Sequence, residues 1–521
     1  MRIGLALGAG VLWGLCCLYT SLAPFLPLAF LLALQGLRQV ETARQAAWFG
    51  LLFGCVRYAV GSNFLLALGD IDLLGYAFYP LAISYYLPFA VLESWGALRL
   101  ERLLGIPRVA AFGILYTALE PVRSLGDLSF PTDLLAQAFG VWPQWLALSP
   151  WAGPYGLTFI VLLCAVLLDQ AWSQRRTPRG LLALAAAIMT WSLPVIVDQV
   201  TVSPPSQDAR TFHVAVLQPV TGVQEKMDRA SRPATWKTLE KMTLQASEAL
   251  EKPNLIVWPE SSRPDPITWK GQGPFRDDRM HRLARQAGAP ILYGTVIARV
   301  VDGRLKALYN GAALAFPDDR PAQWYGKQQL LPVAEKVPFR QLFGLDPYAS
   351  NQSMERKSIL PMLGRFLEGP EPTLFLVDGL SFGVLICYEG MYPELSRAYR
   401  KKGANAVVIL TNDAWWGDSE FVQWHAQKVS FISRSLEIPV IRAANNGISS
   451  LTDHRGRRLV ATDLNERTTV HIQVTPGSSV PTFYARTGNI GLFGLLAVCC
   501  AVFPVMNRIR GNRQSSSRSA R

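Results

Sequence analysis

Long apolar runs dominate the first 200 residues, whereas residues 208–480 mix apolar and polar positions in short stretches. The apolar runs approach the length that a helix needs to cross a bilayer. They occupy about residues 3–20, 22–37, 46–68, 74–98, 109–121, 153–172, 181–198 and 488–506. The pattern predicts a transmembrane bundle of seven spans over 1–200, a globular domain over 208–480 and an eighth span at 488–506.

Arginines alternate along the connections between the predicted spans. The basic connections hold Arg2, Arg38, Arg44, Arg99, Arg102, Arg108, Arg175, Arg176 and Arg179, and more arginines follow the last span in a basic tail, 507–521. The other connections carry mainly acidic residues, among them Asp70 and Asp72. Because basic residues beside spans stay in the cytoplasm, the pattern predicts that both termini are cytoplasmic and that the 208–480 domain lies outside.

The net charge of +13 is largely explained by these arginines. The basic residues are not gathered on one soluble module, which argues against a nucleic-acid partner. One arginine, Arg57, falls near the middle of the third apolar run. A charge at that depth is costly, so we expect Arg57 to face the bundle interior or a partner group.

Between residues 208 and 480, runs rich in apolar and β-branched residues alternate with stretches that fit helices. The predicted strands are 212–220, 254–260, 291–300, 308–316, 373–389, 404–413, 438–446 and 468–474, and the predicted helices are about 233–250, 276–288, 392–402 and 421–436. Strands that are apolar almost throughout indicate sheets buried on both faces. The domain is therefore expected to be α/β, with two stacked sheets and helices outside them.

Three chemically capable side chains stand at or beyond the ends of predicted strands. Cys387 is the sole cysteine of the domain and ends a run in LICYEG, Glu260 follows a run in NLIVWPES, and Lys327 lies in WYGKQQ. Each has an ordinary alternative, since such a cysteine is commonly a core residue and charged residues are usually solvated. Together they supply a nucleophile, a base for the thiol proton and a cation for an oxyanion. The set predicts covalent acyl transfer without histidine.

Metal and nucleotide chemistry find little support in the sequence. The five histidines are scattered without the spacing of metal ligands. No glycine-rich loop of the kind that cradles phosphates is present. We therefore expect neither a metal site nor a cofactor.

Five motifs of the domain resemble the nitrilase superfamily and, more narrowly, the apolipoprotein N-acyltransferases. They are WPES, YGKQQLLPVAEKVPF, ICYE, TNDAWWGDS and RAANNG. In the helical region, LEPVR, FP and GPYG are similar to the membrane-domain signatures of that family. The resemblance implies a nitrilase-like α-β-β-α sandwich inserted before the last span of an eight-helix transmembrane bundle. It also implies the bacterial inner membrane, with the catalytic domain in the periplasm.

The resemblance assigns roles to individual residues. It implies that Cys387 is the nucleophile, Glu260 the general base and Lys327 the oxyanion stabiliser. The residues that it implies for support of the site or for substrate binding are Glu335, Tyr388, Glu389, Asn412 and Trp415. Trp415 and its neighbour Trp416 have an alternative role as anchors at the membrane interface. Turn chemistry alone could explain the run 445–447.

The implied activity is transfer of an acyl chain from a phospholipid, typically phosphatidylethanolamine, to the N-terminal amine of a diacylglyceryl-cysteine apolipoprotein. The chain would be carried as a thioester on Cys387. The implied partners are the lipid donor, the lipoprotein acceptor and the membrane, without nucleic acid. Two alternatives stay open: a membrane-anchored nitrilase-type amidase that uses water as the acceptor, and a non-enzymatic relative that serves plasmid transfer.

Overall fold

The computed structural model describes residues 1–70, 73–201, 210–270, 275–318, 320–344 and 364–519, with side chains omitted at 227 and beyond 504. The chain divides into two units. The first comprises Met1–Leu125, Pro131–Val202 and Thr487–Arg521, and the second comprises Gly126–Phe130 and Ser203–Arg486. The sequence predicts a boundary near 200–208 but places Gly126–Phe130 in the bundle, whereas its contacts belong to the second unit. Asp72, named in one predicted connection, lies outside the described residues.

The first unit is helical. Its helices are Arg2–Leu18 (α1), Leu26–Arg38 (α2), Ala43–Gly61 (α3), Phe78–Leu104 (α4), Arg108–Leu119 (α5), Leu135–Ala138 (α6), Ser149–Ser173 (α7) and Pro178–Val200 (α8), followed near the C-terminus by Ile490–Ser519. Short 3-10 turns precede α2 and follow α3 and α5. The last helix continues through most of the predicted basic tail.

Three helical segments of the described chain are long and apolar enough to cross a membrane: Thr20–Arg38, Ser149–Ser173 and Pro178–Val200. Ala43–Gly61 and the turn Asn63–Asp70 form a fourth if this pair, bent by 50°, is a single span. Arg2–Leu18 and Ile490–Pro504 are apolar but shorter. Helices thus occur at all eight predicted positions, but the count of eight spans stays a prediction.

Arg57 faces the interior of the first unit, as expected for a charge in an apolar run. Its Nη1 lies 3.2 Å from Glu93 Oε2, and both side chains are fully buried. Arg123 Nη2 lies 2.5 Å from the other oxygen of Glu93 and also pairs with Asp133. Two cations and two anions therefore compensate one another, which makes their burial tolerable in an apolar surrounding.

The second unit contains two mixed sheets. Its strands are Phe212–Gln218 (β1), Leu255–Val257 (β2), Ile267–Trp269 (β3), Ile291–Val301 (β4), Arg304–Ala315 (β5), Gln323–Gly326 (β6), Leu374–Val377 (β7), Leu380–Ile386 (β8), Ala406–Thr411 (β9), Val440–Ala444 (β10), Ser450–Thr452 (β11), Arg458–Ala461 (β12) and Thr468–Val474 (β13). One sheet has the order β13-β1-β2-β4-β5-β6, with β3 paired to β4, and the other has the order β12-β11-β10-β9-β8-β7. The α/β class predicted for this region is confirmed.

Helices of the second unit follow the strands. They are Val223–Met227 (α9), Arg232–Ser247 (α10), Asp278–Ala287 (α11), Pro393–Lys401 (α12), Glu420–Gln427 (α13), Ser430–Leu436 (α14) and Phe483–Thr487 (α15). Trp236 and Leu239 of α10 and Met280 of α11 share one buried cluster with Ile256 and Tyr293 of the first sheet. Helices therefore cover a sheet face, as near-continuous apolar strands require.

Two predicted elements of this unit are wrong in detail. The predicted strand 373–389 is a hairpin, β7–β8, followed by a 3-10 turn from Cys387 to Met391. Asp378 and Gly379, both with positive φ, make its tight turn, and an Asp-Gly pair is a common signal for such a turn. The predicted helix 421–436 is two helices, α13 and α14, which break at residues 428–429.

Candidate active site

Cys387 lies at the end of β8, where the strand gives way to the 3-10 turn Cys387–Met391. Its φ is 51°, in the left-handed region that side chains other than glycine rarely adopt. The neighbours on either side are fully buried or nearly so, while Cys387 itself is partly exposed. The sharp turn therefore places Cys387 directly beyond the end of β8, as expected for a cysteine that ends an apolar run.

Glu260 is brought to this region by the end of β2. Pro259 lacks the N–H that would continue the ladder, and the strand stops at Val257, short of the predicted end at 260. Gly294 of β4 lies against the turn: a Cβ there would be 2.6 Å from Glu260 Cα, so only glycine permits this approach. The carboxylate is buried, and its Oε1 accepts a hydrogen bond of 2.8 Å from Asn310 Nδ2.

Lys327 follows β6 directly and is 2% exposed. Its Nζ lies 3.0 Å from Glu335 Oε1 and 2.8 Å from Oε2. Glu335 is held in turn by the main-chain N–H of Leu331, which donates to Oε2 over 2.8 Å. The structure thus brings together two residues that the sequence selects separately, a buried ammonium and its carboxylate.

Electrostatics link Cys387, Glu260 and Lys327. Burial raises the pKa of the Cys387 thiol to about 12, with Glu260 adding to the rise and Lys327 opposing it. Burial also raises the pKa of Glu260 above its usual range, against the pull of the Lys327 ammonium. Burial alone would lower the pKa of Lys327, but Glu335 and Glu260 outweigh it and raise that pKa. The thiol is therefore protonated at rest and the lysine charged, so attack by the sulfur needs a base.

Glu389 is fully buried two residues after the cysteine and accepts four hydrogen bonds. Its Oε1 accepts from the Tyr325 hydroxyl at 2.7 Å and from the main-chain N–H groups of Gln328 at 2.7 Å and Gln329 at 3.1 Å. Its Oε2 accepts from the N–H of Ile386 at 2.8 Å. Glu389 therefore fixes the main chain beside Lys327 to the turn that begins at Cys387.

Tyr388 points its hydroxyl at the segment Gly126–Phe130 of the same unit. The hydroxyl donates to the carbonyl of Ser129 over 2.8 Å, and the ring stacks on Phe130 with centroids 5.8 Å apart. Tyr392 donates to the same carbonyl over 3.2 Å. A segment that lies far earlier in the chain thus supports the turn that begins at Cys387.

The TNDAWW motif lies at the end of β9, beside β8. Asn412 Oδ1 accepts from Asn445 Nδ2 over 2.9 Å, and Trp415 is partly buried in a 3-10 turn, Asp413–Trp416. These contacts do not connect Asn412 or Trp415 to Cys387. Their roles, including the membrane-interface alternative for Trp415, stay predictions.

Asp413, between those two residues, is the centre of a buried network. It accepts from Arg442 Nη2 at 2.8 Å, from Thr411 Oγ1 at 3.0 Å, and lies 3.0 Å from His425 Nδ1. Although burial opposes it, the Arg442 guanidinium lowers the pKa of this carboxyl below its usual range. A Cβ at Gly447 would lie 2.0 Å from Asp413 Oδ2. Glycine is therefore required at this position by the close approach of the Asp413 carboxylate rather than by a turn.

Asn310 and Lys226 are among the residues that contact the candidate site although sequence reasoning does not select them. Asn310 stands between the carboxylates of Glu260 and Glu335, whereas the sequence indicates it only as part of an apolar strand. Lys226 Nζ donates to the carbonyl of Glu260 over 3.1 Å; burial lowers the pKa of this lysine to about 8, against the attraction of Glu260 and Glu225. A polar residue flanked by apolar ones in a strand is the available signal for Asn310.

Comparison with known proteins gives matches over both units. Residues 213–482 match the family "Carbon-nitrogen hydrolase", and residues 9–167 match "Apolipoprotein N-acyltransferase N-terminal domain". A CN-hydrolase superfamily protein from Xanthomonas campestris aligns with 51% of this chain and 91% of its own at 15% identity, with a TM-score of 0.34.

Two relatives match over most of their length. A protein named apolipoprotein N-acyltransferase from Allorhizobium ampelinum is 30% identical, over 84% of this chain and 82% of its own. One of the same name from Geobacter metallireducens is 28% identical, over 76% of this chain and 74% of its own. With a helical unit and a carbon-nitrogen hydrolase unit both matched, the chain belongs to the apolipoprotein N-acyltransferase family.

Proposed function

We propose that this protein transfers an acyl chain from a phospholipid to the N-terminal amine of a diacylglyceryl-cysteine lipoprotein, through a thioester on Cys387. The observation that carries the proposal is the constellation of a strained cysteine, a carboxylate with a raised pKa and a lysine held charged by Glu335. This set has what covalent acyl transfer needs: a nucleophile, a base and a cation. Membership of the family supports the choice of substrates.

In the first step, Glu260 takes the proton of the Cys387 thiol as the sulfur attacks the ester carbonyl of the phospholipid. The carbonyl oxygen becomes an oxyanion beside the Lys327 ammonium, which stabilises it. The intermediate collapses, the ester C–O bond breaks and the carbonyl of the thioester is restored. Glu260 returns its proton to the leaving alkoxide, and a lysophospholipid departs.

In the second step, the uncharged α-amine of the lipoprotein attacks the thioester carbonyl. The C–N bond of an amide forms, the C–S bond breaks, and Glu260 takes a proton from the attacking nitrogen. Lys327 again stabilises the oxyanion, and its charge then favours the departing thiolate. The thiolate recovers its proton from Glu260, which restores the resting site.

The lipid-anchored nature of both substrates supports a site held at a membrane surface. We propose eight spans in a bacterial inner membrane, with the 208–480 domain on the periplasmic side. The apolar helices and the alternating arginines support this topology. Phosphatidylethanolamine is the proposed donor.

The test is intact-mass spectrometry of the purified full chain after incubation with phosphatidylethanolamine, beside a Cys387→Ala control. We expect one added acyl mass on the wild type, none on the control, and discharge by a diacylated lipopeptide. Discharge by water at the same rate, without lipopeptide, would identify a hydrolase instead. A folded wild type that gains no acyl mass would refute the enzymatic proposal and favour the non-enzymatic relative.

A further inference from the structure

Asn310 is a buried amide between two carboxylates. It lies on β5, and it is 5% exposed. Its Nδ2 lies 2.8 Å from Glu260 Oε1 and 2.9 Å from Glu335 Oε1. The amide orientation is fixed by chemistry, because ionised carboxylates only accept hydrogen bonds and the NH₂ group has two hydrogens to give.

Two carboxylates that approach each other in a buried site tend to share one proton. Like charges raise the pKa of one partner, and the shared proton then bonds the pair directly. A neutral amide that donates one N–H to each oxygen removes the need for that proton. Asn310 thus gives each of the two carboxylates a donor.

The main chain of the same residue fixes the lysine. The carbonyl of Asn310 accepts from the N–H of Lys327 over 2.8 Å. Since Lys327 pairs with Glu335, Asn310 contacts the base, the cation and the counter-ion of the cation. One residue therefore connects the three charged groups of the candidate site.

We propose that Asn310 is a positioning residue that holds Glu260 and Glu335 apart by giving one N–H to each carboxylate, which keeps Glu260 ready as the base. The proposal rests on the role of Glu260 in the proposed function. The groups that act on Glu260 are Lys226 from α9, Lys327 after β6, Glu335 in the segment that follows, and the Cys387 thiol after β8. In addition to these titratable groups, Asn310 donates to the Glu260 carboxylate as a neutral amide.

The test is the substitution Asn310→Asp, which replaces the donating NH₂ group with an oxygen and keeps the shape of the side chain. Acylation of Cys387 is followed with p-nitrophenyl acetate, because the burst of p-nitrophenolate at its isosbestic wavelength needs no phospholipid. We expect the acid limb of the burst rate to move upward by about 1 to 2 pH units, since a hydrogen bond to a charged group is lost. Below the midpoint the burst is then about 10- to 100-fold slower.

Asn405→Asp is the matched control. Asn405 is a partly buried asparagine of the same unit whose Oδ1 accepts from the N–H of Ser381 and whose Nδ2 donates to the carbonyl of Gly379, away from the candidate site. In this control variant we expect the pH midpoint of the acid limb of the burst rate to equal that of the wild type. A second variant, Asn310→Ser, keeps a single hydroxyl donor for two carboxylates, and its pH midpoint should lie between those of the wild type and Asn310→Asp. This variant provides the test if Asn310→Asp does not fold.

The outcomes separate this proposal from the proposed function. A burst of smaller amplitude with an unchanged midpoint in both Asn310 variants would make the residue merely structural and overturn the proposal. A shifted midpoint together with failure of phosphatidylethanolamine to acylate the wild type would uphold Asn310 and reject the phospholipid donor. A wild type without any burst that depends on Cys387 would overturn both.

Discussion

Lys327 is held by Glu335 through both carboxylate oxygens, at 3.0 Å and 2.8 Å from Nζ. The lysine is almost completely buried, and a lone buried ammonium would lose its proton readily. The carboxylate reverses that tendency and raises the pKa of Lys327. Glu335 is thus the partner that keeps a cation available at the candidate oxyanion position.

Replacing Glu335 by glutamine should weaken the cation without changing the shape of the site. Burial lowers the pKa of Lys327, and the charge of Glu335 is the largest effect that raises it. Without that charge the pKa of Lys327 should fall. We expect single-turnover acylation of Cys387 by phosphatidylethanolamine to slow by about 10²- to 10³-fold, the usual effect of losing one oxyanion donor. Quench-flow sampling with intact-mass detection measures this rate.

Glu368→Gln provides the control for that prediction. Glu368 pairs with Lys336, the neighbouring lysine, at 3.1 Å and is far more exposed than Glu335. Its loss should leave the acylation rate within about twofold of the wild type, since exposed ion pairs contribute little. Equal rates for the Glu335 and Glu368 variants would contradict the role given to Glu335.

The chemistry of the site is accessible from the sequence because it sits at strand ends. Cys387, Glu260 and Lys327 each follow an apolar run, and the structure places them after β8, β2 and β6, strands that belong to two different sheets. The sequence does not select Asn310, because it lies inside a strand. The alternation of side chains along a strand predicts the sheet face on which a residue lies but not the residues that it contacts. The two carboxylates that it joins lie 50 positions before it and 25 after it, on other elements.

Long-range support is equally hidden in the sequence. Nothing in the sequence of 126–130 links it to Tyr388, because the pairing depends on how the chain folds. Val333, two residues before Glu335, adopts a φ of 67°, which a β-branched residue would not be expected to take. Local propensity predicts such a position poorly, since tertiary contacts impose the conformation.

The acylation rate should depend on pH through Glu260. Burial raises the pKa of this carboxyl, so the fraction that can act as a base falls as pH drops through a midpoint above the usual 4.5. We expect the acid limb of the burst rate with p-nitrophenyl acetate to have that elevated midpoint. In Glu260→Gln the limb should vanish and the rate fall by about 10²- to 10⁴-fold, as for loss of a general base. An acid limb that persists unchanged in this variant would assign the midpoint to another group.

Removing the hydroxyl of Tyr388 should slow acylation without unfolding the protein. In Tyr388→Phe the Ser129 carbonyl keeps its bond from Tyr392, so no buried acceptor is orphaned. The turn after Cys387 loses one anchor, and we expect a rate about tenfold lower, which corresponds to one neutral hydrogen bond. Tyr79→Phe is the control, because its hydroxyl donates to a carbonyl of α3 in the helical unit. A similar slowing in both variants would show a general loss of stability.

The Asp413 network should contribute to the stability of the fold. Asp413 and Arg442 are both fully buried or nearly so, and the carboxylate also contacts His425 and Thr411. In Asp413→Asn the guanidinium loses its counter-ion, and breaking a buried pair costs about 3–5 kcal/mol. We expect a clear fall in the midpoint of thermal unfolding. Tryptophan fluorescence of the protein in detergent measures this midpoint.

The pH dependence of that contribution follows from the lowered pKa of Asp413. A carboxyl whose pKa falls on folding stabilises the protein fully above its unfolded pKa of about 3.8 and loses this contribution as pH drops from there through its folded pKa. The wild-type advantage over Asp413→Asn should therefore be constant from neutral pH down to about pH 5 and shrink only in stronger acid. Asp318→Asn, which removes an exposed partner of Arg320, should leave the thermal midpoint almost unchanged across this range. If both variants lower the thermal midpoint equally, the buried network has no special part in stability.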